Sequence, residues 1–267
     1  MTIAEKLRIL ERRNERALAV FATAGDPDLN TSTEIFGHLG DWGADIIEIG
    51  IPYSDPLMDG PVLQRSYLRA LKHGFKLSQL AKIVEKTADK SDTPILIMTC
   101  YNPVYKYGVN RFFRDVKSAG VDSILLTDLP PEEWGESIEL AKQFKLGTIF
   151  LIAPTTPIGR MEMISKISNP FVYCISKMGV TGAGAELPDE LQDYVKFVQD
   201  TVKQPIMVGF GISTPEQAAQ ASVSANGVIV GSAAVAIIER HLDDKVRMFS
   251  LLENFISGIK NSLKPKD

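Results

Sequence analysis

The sequence predicts an eight-stranded α/β barrel, the (β/α)8 TIM barrel. The barrel is expected to form one domain over residues 1–267. Short apolar runs of buried-strand length alternate with amphipathic stretches along the chain. No hairpin turns separate these runs, which indicates parallel strands, and eight such units close naturally into a barrel. The predicted strands are residues 17–23, 45–50, 94–99, 122–127, 147–152, 171–175, 205–209 and 227–231.

The stretches between the strands have helical periodicity and charged outer faces. An extra N-terminal helix over residues 1–13 is expected to plug the bottom of the barrel, and a final helix over residues 243–260 is expected to cover its outside. A doubly wound open sheet is the alternative fold, but it would usually need a glycine-rich phosphate loop after the first strand. Residues 23–27 read Thr-Ala-Gly-Asp-Pro, which does not match that loop.

The amino-acid composition excludes several classes of function. Hydrophobic residues make up 45% of the chain, enough for a large core, and the net charge of −4 argues against nucleic acid as the main partner. The two cysteines and three histidines lack the spacing of a zinc site or a disulfide framework, so no metal is predicted. Without a signal peptide or membrane segment in the sequence, we expect a cytoplasmic protein.

Glu48 is the most unusual residue of the predicted strands, because it interrupts an apolar run. Strand alternation turns Ile47 and Ile49 toward the helices and Glu48 toward the barrel interior. Burial raises the pKa of a carboxyl group, so Glu48 could act as a general acid near neutral pH. The alternative is a structural glutamate paired with a lysine or arginine across the barrel.

Asp59 lies in a proline-rich loop after the second strand, just before Gly60 and Pro61. By itself this position favours a turn or helix-capping carboxylate. Loops that follow strands build the active sites of α/β barrels, so Asp59 and Glu48 belong to the same end of the barrel. A site with two carboxyl groups is therefore the competing hypothesis.

Glycine-rich turns follow the last two predicted strands, at residues 209–213 and 230–232. Backbone N–H groups at such turns and at helix N-termini bind anions, and the loops after strands seven and eight are the usual phosphate site of this barrel. We therefore predict a phosphate site with a short helix after strand eight. Tight turns with a serine cap are the alternative.

The loop after the sixth strand contains Lys177 and a run of small residues from Thr181 to Ala185. Small residues suit a mobile lid over a substrate, and a floppy surface loop is the alternative. A lysine here could form a Schiff base with a carbonyl substrate, although a solvated loop lysine is the favoured interpretation.

Together these residues resemble the tryptophan synthase α-subunit family along nearly the whole chain. The most specific passage is Ile47–Gln64, which contains both carboxyl groups. Further matches are residues 25–27, 101–104, 128–130, 179–182, 209–213 and 230–232. The resemblance implies a lyase without a cofactor that splits indole-3-glycerol phosphate, by retro-aldol cleavage, into indole and glyceraldehyde 3-phosphate.

The resemblance also implies roles for single residues. Glu48 matches the general acid that protonates the indole carbon bearing the glycerol chain, and Asp59 matches the carboxylate that accepts a hydrogen bond from the indole N–H. Thr181 matches the lid residue that reaches Asp59. The implied phosphate contacts are Gly182, Gly211, Gly231 and Ser232. The implied pocket walls are Phe21, Leu129, Ile152, Tyr173 and Phe210.

The family further implies a partner, a PLP-dependent tryptophan synthase beta chain in an α2β2 heterotetramer that receives the indole. Loops over residues 52–61 and 102–108 match the docking elements. Three residues depart from the usual pattern: Cys100 replaces a tyrosine, Met58 replaces the commoner alanine, and Gly184 lengthens the lid. These departures concern pocket shape and lid dynamics rather than the two carboxyl groups.

Three other functions stay open at this point. One is a free-standing lyase that releases indole without a beta chain. Another is a Schiff-base aldolase that uses Lys177. The third is a non-catalytic subunit that binds the phosphate ligand and regulates a partner, and the intact pair Glu48 and Asp59 argues against it.

Overall fold

One parallel sheet forms the centre of the computed structural model, which describes residues 1–175, 190–209 and 211–265. Its strand order is β5-β4-β3-β2-β1-β9-β8-β7-β6, and every pairing of neighbours is parallel. The strands are β1 (Ala17–Thr23), β2 (Ile46–Gly50), β3 (Ile95–Thr99), β4 (Ser123–Leu126), β5 (Gly147–Ile149), β6 (Leu151–Ile152), β7 (Val172–Ile175), β8 (Ile206–Gly209) and β9 (Gly227–Val230).

The two edges of this sheet are consecutive in the chain. Strands β5 and β6 are the two parts of the predicted strand 147–152, and Phe150 alone separates them. Strand β5 pairs with β4, while β6 pairs with β7, and the Tyr173 N–H donates to the Phe150 carbonyl at 3.0 Å. The predicted eight-stranded barrel is therefore confirmed, with its fifth strand split between two neighbours.

Helices surround the barrel. They are α1 (Ile3–Arg12), α2 (Leu29–Leu39), α3 (Pro61–Lys72), α4 (Leu80–Lys90), α5 (Tyr101–Tyr107), α6 (Val109–Ala119), α7 (Glu136–Gln143), α8 (Ile158–Ile167), α9 (Leu191–Thr201), α10 (Pro215–Ala221), α11 (Ser232–Arg240) and α12 (Lys245–Ser262), with short 3-10 turns at Leu77–Gln79 and Pro131–Glu133. Across the described ranges, no helix is both long and apolar enough to cross a bilayer.

Helix α5 corrects one expectation. Residues 102–108 are predicted as a loop, yet most of them are helical. Pro103 lies in the first turn of α5, where a backbone N–H would lack a helical partner in any case. The helix ends at Gly108, whose φ of 95° interrupts it before α6 begins.

The apolar core has two layers. The outer layer packs the outward side chains of the strands, such as Ile47 and Ile49, against the helices. The inner layer fills the barrel, and helix α1 contributes Ile3, Leu7 and Leu10 to it. Helix α1 therefore closes the bottom of the barrel as predicted, and a capping box starts it.

A buried ion cluster attaches helix α12 to the amino ends of the first two strands. Lys260 Nζ donates to Asp45 Oδ2 at 2.8 Å and to the Arg16 carbonyl at 3.2 Å. The same carboxylate oxygen accepts from the Leu18 N–H at 3.0 Å, and Glu15 lies 3.3 Å from the ammonium group. Each charge therefore has a partner, which offsets the cost of burying it.

We expect Lys260→Met to lower the free energy of unfolding by about 3 kcal/mol, because Asp45 would stay buried without its main counter-ion. Lys142→Met is the matched control, since its ion pair with Glu139 is exposed and such pairs contribute about 1 kcal/mol or less. Urea unfolding with an unchanged m-value measures both. Equal losses in the two variants would contradict the structural role of the buried cluster.

Candidate active site

Strand β2 places Glu48 inside the barrel. In the sheet register Glu48 lies beside Phe21 of β1 and Leu96 of β3, and both of these side chains belong to the inner core. Glu48 is 1% exposed, and neither carboxyl oxygen has a hydrogen-bond partner among the described residues. The inward orientation predicted from strand alternation is thus observed, and no described lysine or arginine pairs with this carboxyl group.

Its surroundings keep Glu48 protonated at neutral pH. Burial is the main cause, and the nearby Asp59 carboxylate adds to it, so that the pKa of Glu48 rises to about 8. A protonated carboxyl group in an apolar wall is a proton donor of suitable strength for general acid catalysis near pH 7.

The loop between β2 and α3 places Asp59 at the same cavity. Helix α3 anchors this loop, because Gln64 Nε2 donates to the Asp59 carbonyl at 2.8 Å and to the Pro56 carbonyl at 3.3 Å. The N-cap of α3 is Gly60, with no side-chain capping bond. Asp59 is therefore not the helix cap that its sequence position suggested.

A hydrogen bond holds the Asp59 side chain. The Tyr53 hydroxyl donates to Asp59 Oδ2 at 2.9 Å. Burial raises the pKa of Asp59 above its ordinary value, and the hydrogen bond from Tyr53 opposes that rise. Sequence reasoning missed Tyr53; a hydroxyl-bearing side chain in the same stiff loop as the carboxylate was the available signal.

Both carboxyl groups line one cavity of about 300 Å³ at the carboxyl ends of the strands. Apolar side chains provide most of its wall, which suits an aromatic ligand. Of the predicted residues, Phe21, Tyr173, Gly211, Gly231 and Ser232 line the cavity. Met58, linked to pocket shape, and Gly209, from the predicted glycine-rich turn, also line it. Sequence reasoning did not assign a cavity role to the lining residues Leu57, Leu63, Met98, Thr127, Leu151, Ile175 and Ile229.

Two glycines make room for the aromatic walls. A Cβ atom on Gly50 would lie 2.3 Å from the Phe21 ring, and one on Gly209 would lie 2.6 Å from the Tyr173 hydroxyl oxygen. Any larger residue at either position would displace an aromatic ring from the cavity. These glycines therefore set the positions of Phe21 and Tyr173 by close approach.

The other end of the cavity has the features of an anion site. Helix α11 begins at Ser232, directly after Gly231, so its first backbone N–H groups point toward the cavity end of the barrel. Gly211 has a φ of 69°, a conformation that favours glycine. The short helix predicted after strand eight is therefore present, and it starts at Ser232.

An ion cluster fixes helix α11 to α3. Arg69 donates to both oxygens of Asp26, at 2.8 and 2.9 Å, and to Glu239 at 2.6 Å. Arg65 makes a second two-point contact with Glu239. Hydrogen bonds from these arginines hold the pKa of Glu239 down at about 2. The cluster ties the helix behind the anion site to the helix that anchors Asp59.

Two predicted wall residues lie elsewhere. Ile152 packs in the outer core, and Leu151 lines the cavity in its place. Successive side chains of a strand point to opposite faces, so an error of one residue selects the wrong face. Leu129 also packs in the outer core, while Thr127 lines the cavity on that side. Lys177, Thr181, Gly182, Gly184 and Phe210 lie outside the described residues.

Comparison with known proteins identifies the family. A family model described as "Tryptophan synthase alpha chain" matches residues 7–264. The tryptophan synthase alpha chains of Thermoanaerobacter sp. (strain X514) and Geotalea uraniireducens (strain Rf4) are each 41% identical to this chain. Both alignments cover 98% of this chain, and they cover 99% and 97% of the relatives.

Solved structures agree with the sequence comparison. The tryptophan synthase subunit alpha from Legionella pneumophila str. Paris superimposes with a TM-score of 0.91 at 34% identity, covering 98% of both chains. A chain of the tryptophan synthase complex from Pyrococcus furiosus gives a TM-score of 0.85 at 36% identity, covering 92% of this chain and 99% of that one. This chain belongs to the tryptophan synthase alpha chain family.

Proposed function

We propose that Glu48 and Asp59 together cleave indole-3-glycerol phosphate into indole and glyceraldehyde 3-phosphate. The family is one of carbon–carbon lyases that act on this substrate. One observation supports this assignment of residues. The buried, protonated carboxyl group of Glu48 and the hydrogen-bonded carboxyl group of Asp59 line the same mainly apolar cavity.

In this proposal Glu48 is the general acid. Its proton goes to the indole carbon that bears the glycerol chain, which turns the ring into a cationic indolenine. The carboxyl group can lose this proton because its pKa of about 8 lies near physiological pH. The apolar surroundings exclude water that would otherwise compete for the proton.

Asp59 is the group that stabilises the positive charge. Its carboxylate accepts a hydrogen bond from the indole N–H, and this interaction strengthens as the ring becomes cationic. Loss of the proton from the glycerol hydroxyl next to the ring then forms the aldehyde and breaks the carbon–carbon bond. Glu48, ionised after the first transfer, is the candidate base for that second proton.

The phosphate of the substrate lies at the start of helix α11. Gly231 and Ser232 supply backbone N–H groups and a hydroxyl, and Gly211 lines the same cavity. Phe21 and Tyr173 form the walls around the indole and glycerol groups. Thr181, Gly182 and Phe210 complete the proposed contacts from outside the described residues.

The partner is a tryptophan synthase beta chain, and the P. furiosus relative is part of such a complex. The proposed assembly is an α2β2 heterotetramer in which the beta chain uses the indole to make tryptophan. Leu57, Met58 and Tyr105 are 89%, 63% and 66% exposed, and all three belong to the predicted docking segments. Exposed apolar side chains of this kind are typical of a surface that a partner covers.

A cytoplasmic location and a one-domain organisation over residues 1–267 complete the proposal. Cys100 and Cys174 are buried free thiols, as expected of a protein in a reducing compartment. One continuous sheet joins the first and last thirds of the chain, since β1 pairs with β9. That arrangement supports a single barrel rather than two separable units.

We expect Glu48→Gln and Asp59→Asn each to lower the rate of indole release at least ~100-fold, because each removes a group that acts in the transition state. Glu85→Gln, on the exposed side of α4, is the control and should keep normal activity. The measurement is indole formation from indole-3-glycerol phosphate with and without a beta chain, alongside circular dichroism of each variant. Near-normal turnover of either site variant would refute the proposed roles.

The activity should also have two pH limits. Glu48 must be protonated, so kcat/KM should fall as the pH rises through about 8. Asp59 must be ionised, so kcat/KM should fall again on the acid side, at a pH above that of an ordinary aspartate. A pH profile of kcat/KM tests both limits. If the alkaline limit persisted unchanged in the residual activity of Glu48→Gln, another group would be responsible for it.

Ser232→Ala should raise the KM for the substrate about threefold to tenfold, since one hydroxyl contributes about 1 kcal/mol and backbone donors remain. Ser257→Ala is the matched control, because its hydroxyl donates to a carbonyl of its own helix α12. Steady-state kinetics and competition by inorganic phosphate measure the effect. An unchanged KM in Ser232→Ala would show that Ser232 makes no contact with the phosphate.

A further inference from the structure

The cavity contains two acidic groups and no described basic side chain. Glu48 and Asp59 line it, while the rest of the described lining consists of apolar residues, glycines, hydroxyl groups and backbone. The negative charge of Asp59 adds to burial in raising the pKa of Glu48, so the two groups resist ionising together. The proposed chemistry needs one of them protonated and the other ionised. Some feature of the site must therefore determine which carboxyl group keeps its proton and which one is ionised.

The hydrogen bonds differ between the two groups. Glu48 accepts no hydrogen bond from any described residue, so nothing there compensates for its burial. Asp59 Oδ2 accepts the hydrogen bond from the Tyr53 hydroxyl, and a carboxylate gains more from such a donor than a carboxylic acid does. This one contact favours the charge on Asp59.

A second tyrosine, Tyr67, packs against Tyr53. The rings of Tyr53 and Tyr67 lie 5.3 Å apart between centroids, which fixes the direction of the Tyr53 side chain. Tyr67 is 1% exposed and its hydroxyl has no hydrogen-bond partner in the described part of the chain, yet it is near enough to Asp59 to lower the pKa of that carboxyl group.

We propose that Tyr53 is a positioning residue for the cleavage reaction, one that holds Asp59 as a hydrogen-bonded carboxylate and so leaves the proton on Glu48. The hydroxyl occupies Oδ2, and no described residue donates to Oδ1, which remains available to the indole N–H. Tyr67 supports the ring of Tyr53. This inference rests on the proposed function of the same site.

Four other titratable groups within the described ranges face Asp59 and could affect its titration. Strand β2 contributes Glu48, helix α3 contributes Tyr67, strand β7 contributes Tyr173, and Cys100 precedes α5. All four are acids whose own pKa is raised by burial, and none of them supplies a positive charge. Among the described neighbours, the tyrosine hydroxyls are the groups that favour the anion.

The test is Tyr53→Phe, which removes the hydroxyl and keeps the ring. We expect kcat to fall roughly tenfold, the loss of one hydrogen bond to a charged group, and the acid limit of the pH profile to move to higher pH. The KM should change less than twofold, because the phosphate contacts are untouched. Ser123→Ala is the control, since its hydroxyl also donates to a carboxylate, Asp122, at the amino end of strand β4 and away from the cavity lining.

Two further measurements distinguish a hydrogen-bonding role of Tyr53 from a purely structural one. A fluorinated tyrosine at position 53 is a stronger donor and should move the acid limit in the opposite direction, to lower pH. Carbon-13 NMR of the Asp59 carboxyl group should give a higher pKa in Tyr53→Phe than in the unmodified chain, with no substrate present. An acid limit and an Asp59 titration that stay in place in both variants would overturn the inference.

The activity of the unmodified chain separates this inference from the proposed function. If it cleaves indole-3-glycerol phosphate and Glu48→Gln is inactive, the proposed function stands whatever Tyr53→Phe does. If the unmodified chain is inactive even with a beta chain, the proposed function fails. The NMR titration would then decide the hydrogen-bonding role of Tyr53 by itself.

Discussion

The proposed chemistry depends on one carboxyl group, that of Glu48, which is buried without a counter-ion among the described residues. A charged glutamate at the position of Glu48 would cost several kcal/mol, and the cheaper solution is to keep the proton. The sheet enforces this state because Phe21 and Leu96 flank Glu48 inside the barrel, while Ile47 and Ile49 anchor the strand to the helices outside. Packing therefore sets the acidity of the group.

Glu48 and Asp59 are held by different means. A strand in the centre of the sheet fixes Glu48, so its position is as rigid as the barrel. A loop carries Asp59, and side-chain hydrogen bonds from Gln64 and Tyr53 provide the rigidity that the backbone lacks there. Sites built on a rigid scaffold with a supported loop combine precise geometry with access for a ligand.

Charge is distributed so that the cavity stays weakly polar. Lys260 and Asp45 pair at the amino end of the barrel, and Arg69 pairs with Asp26 and Glu239 behind the helices α3 and α11. Both clusters are structural and lie outside the described cavity lining. With mainly apolar walls and few charges among the described lining residues, the hydrogen bonds inside the cavity act in a medium of low dielectric constant, where they are strongest.

The sequence by itself determined the barrel, the inward orientation of Glu48, the helix that plugs the bottom and the short helix after the last strand. Each of these follows from a local pattern, namely strand alternation, helical periodicity or a glycine before a helix. Only the tertiary structure decided that Leu151 rather than Ile152 faces the cavity, that residues 101–107 are helical, and that Tyr53 donates to Asp59. Some of these features depend on contacts between elements that are distant in the chain. Others depend on a strand register that is correct to one residue. Periodicity in the sequence encodes neither the contacts nor the register.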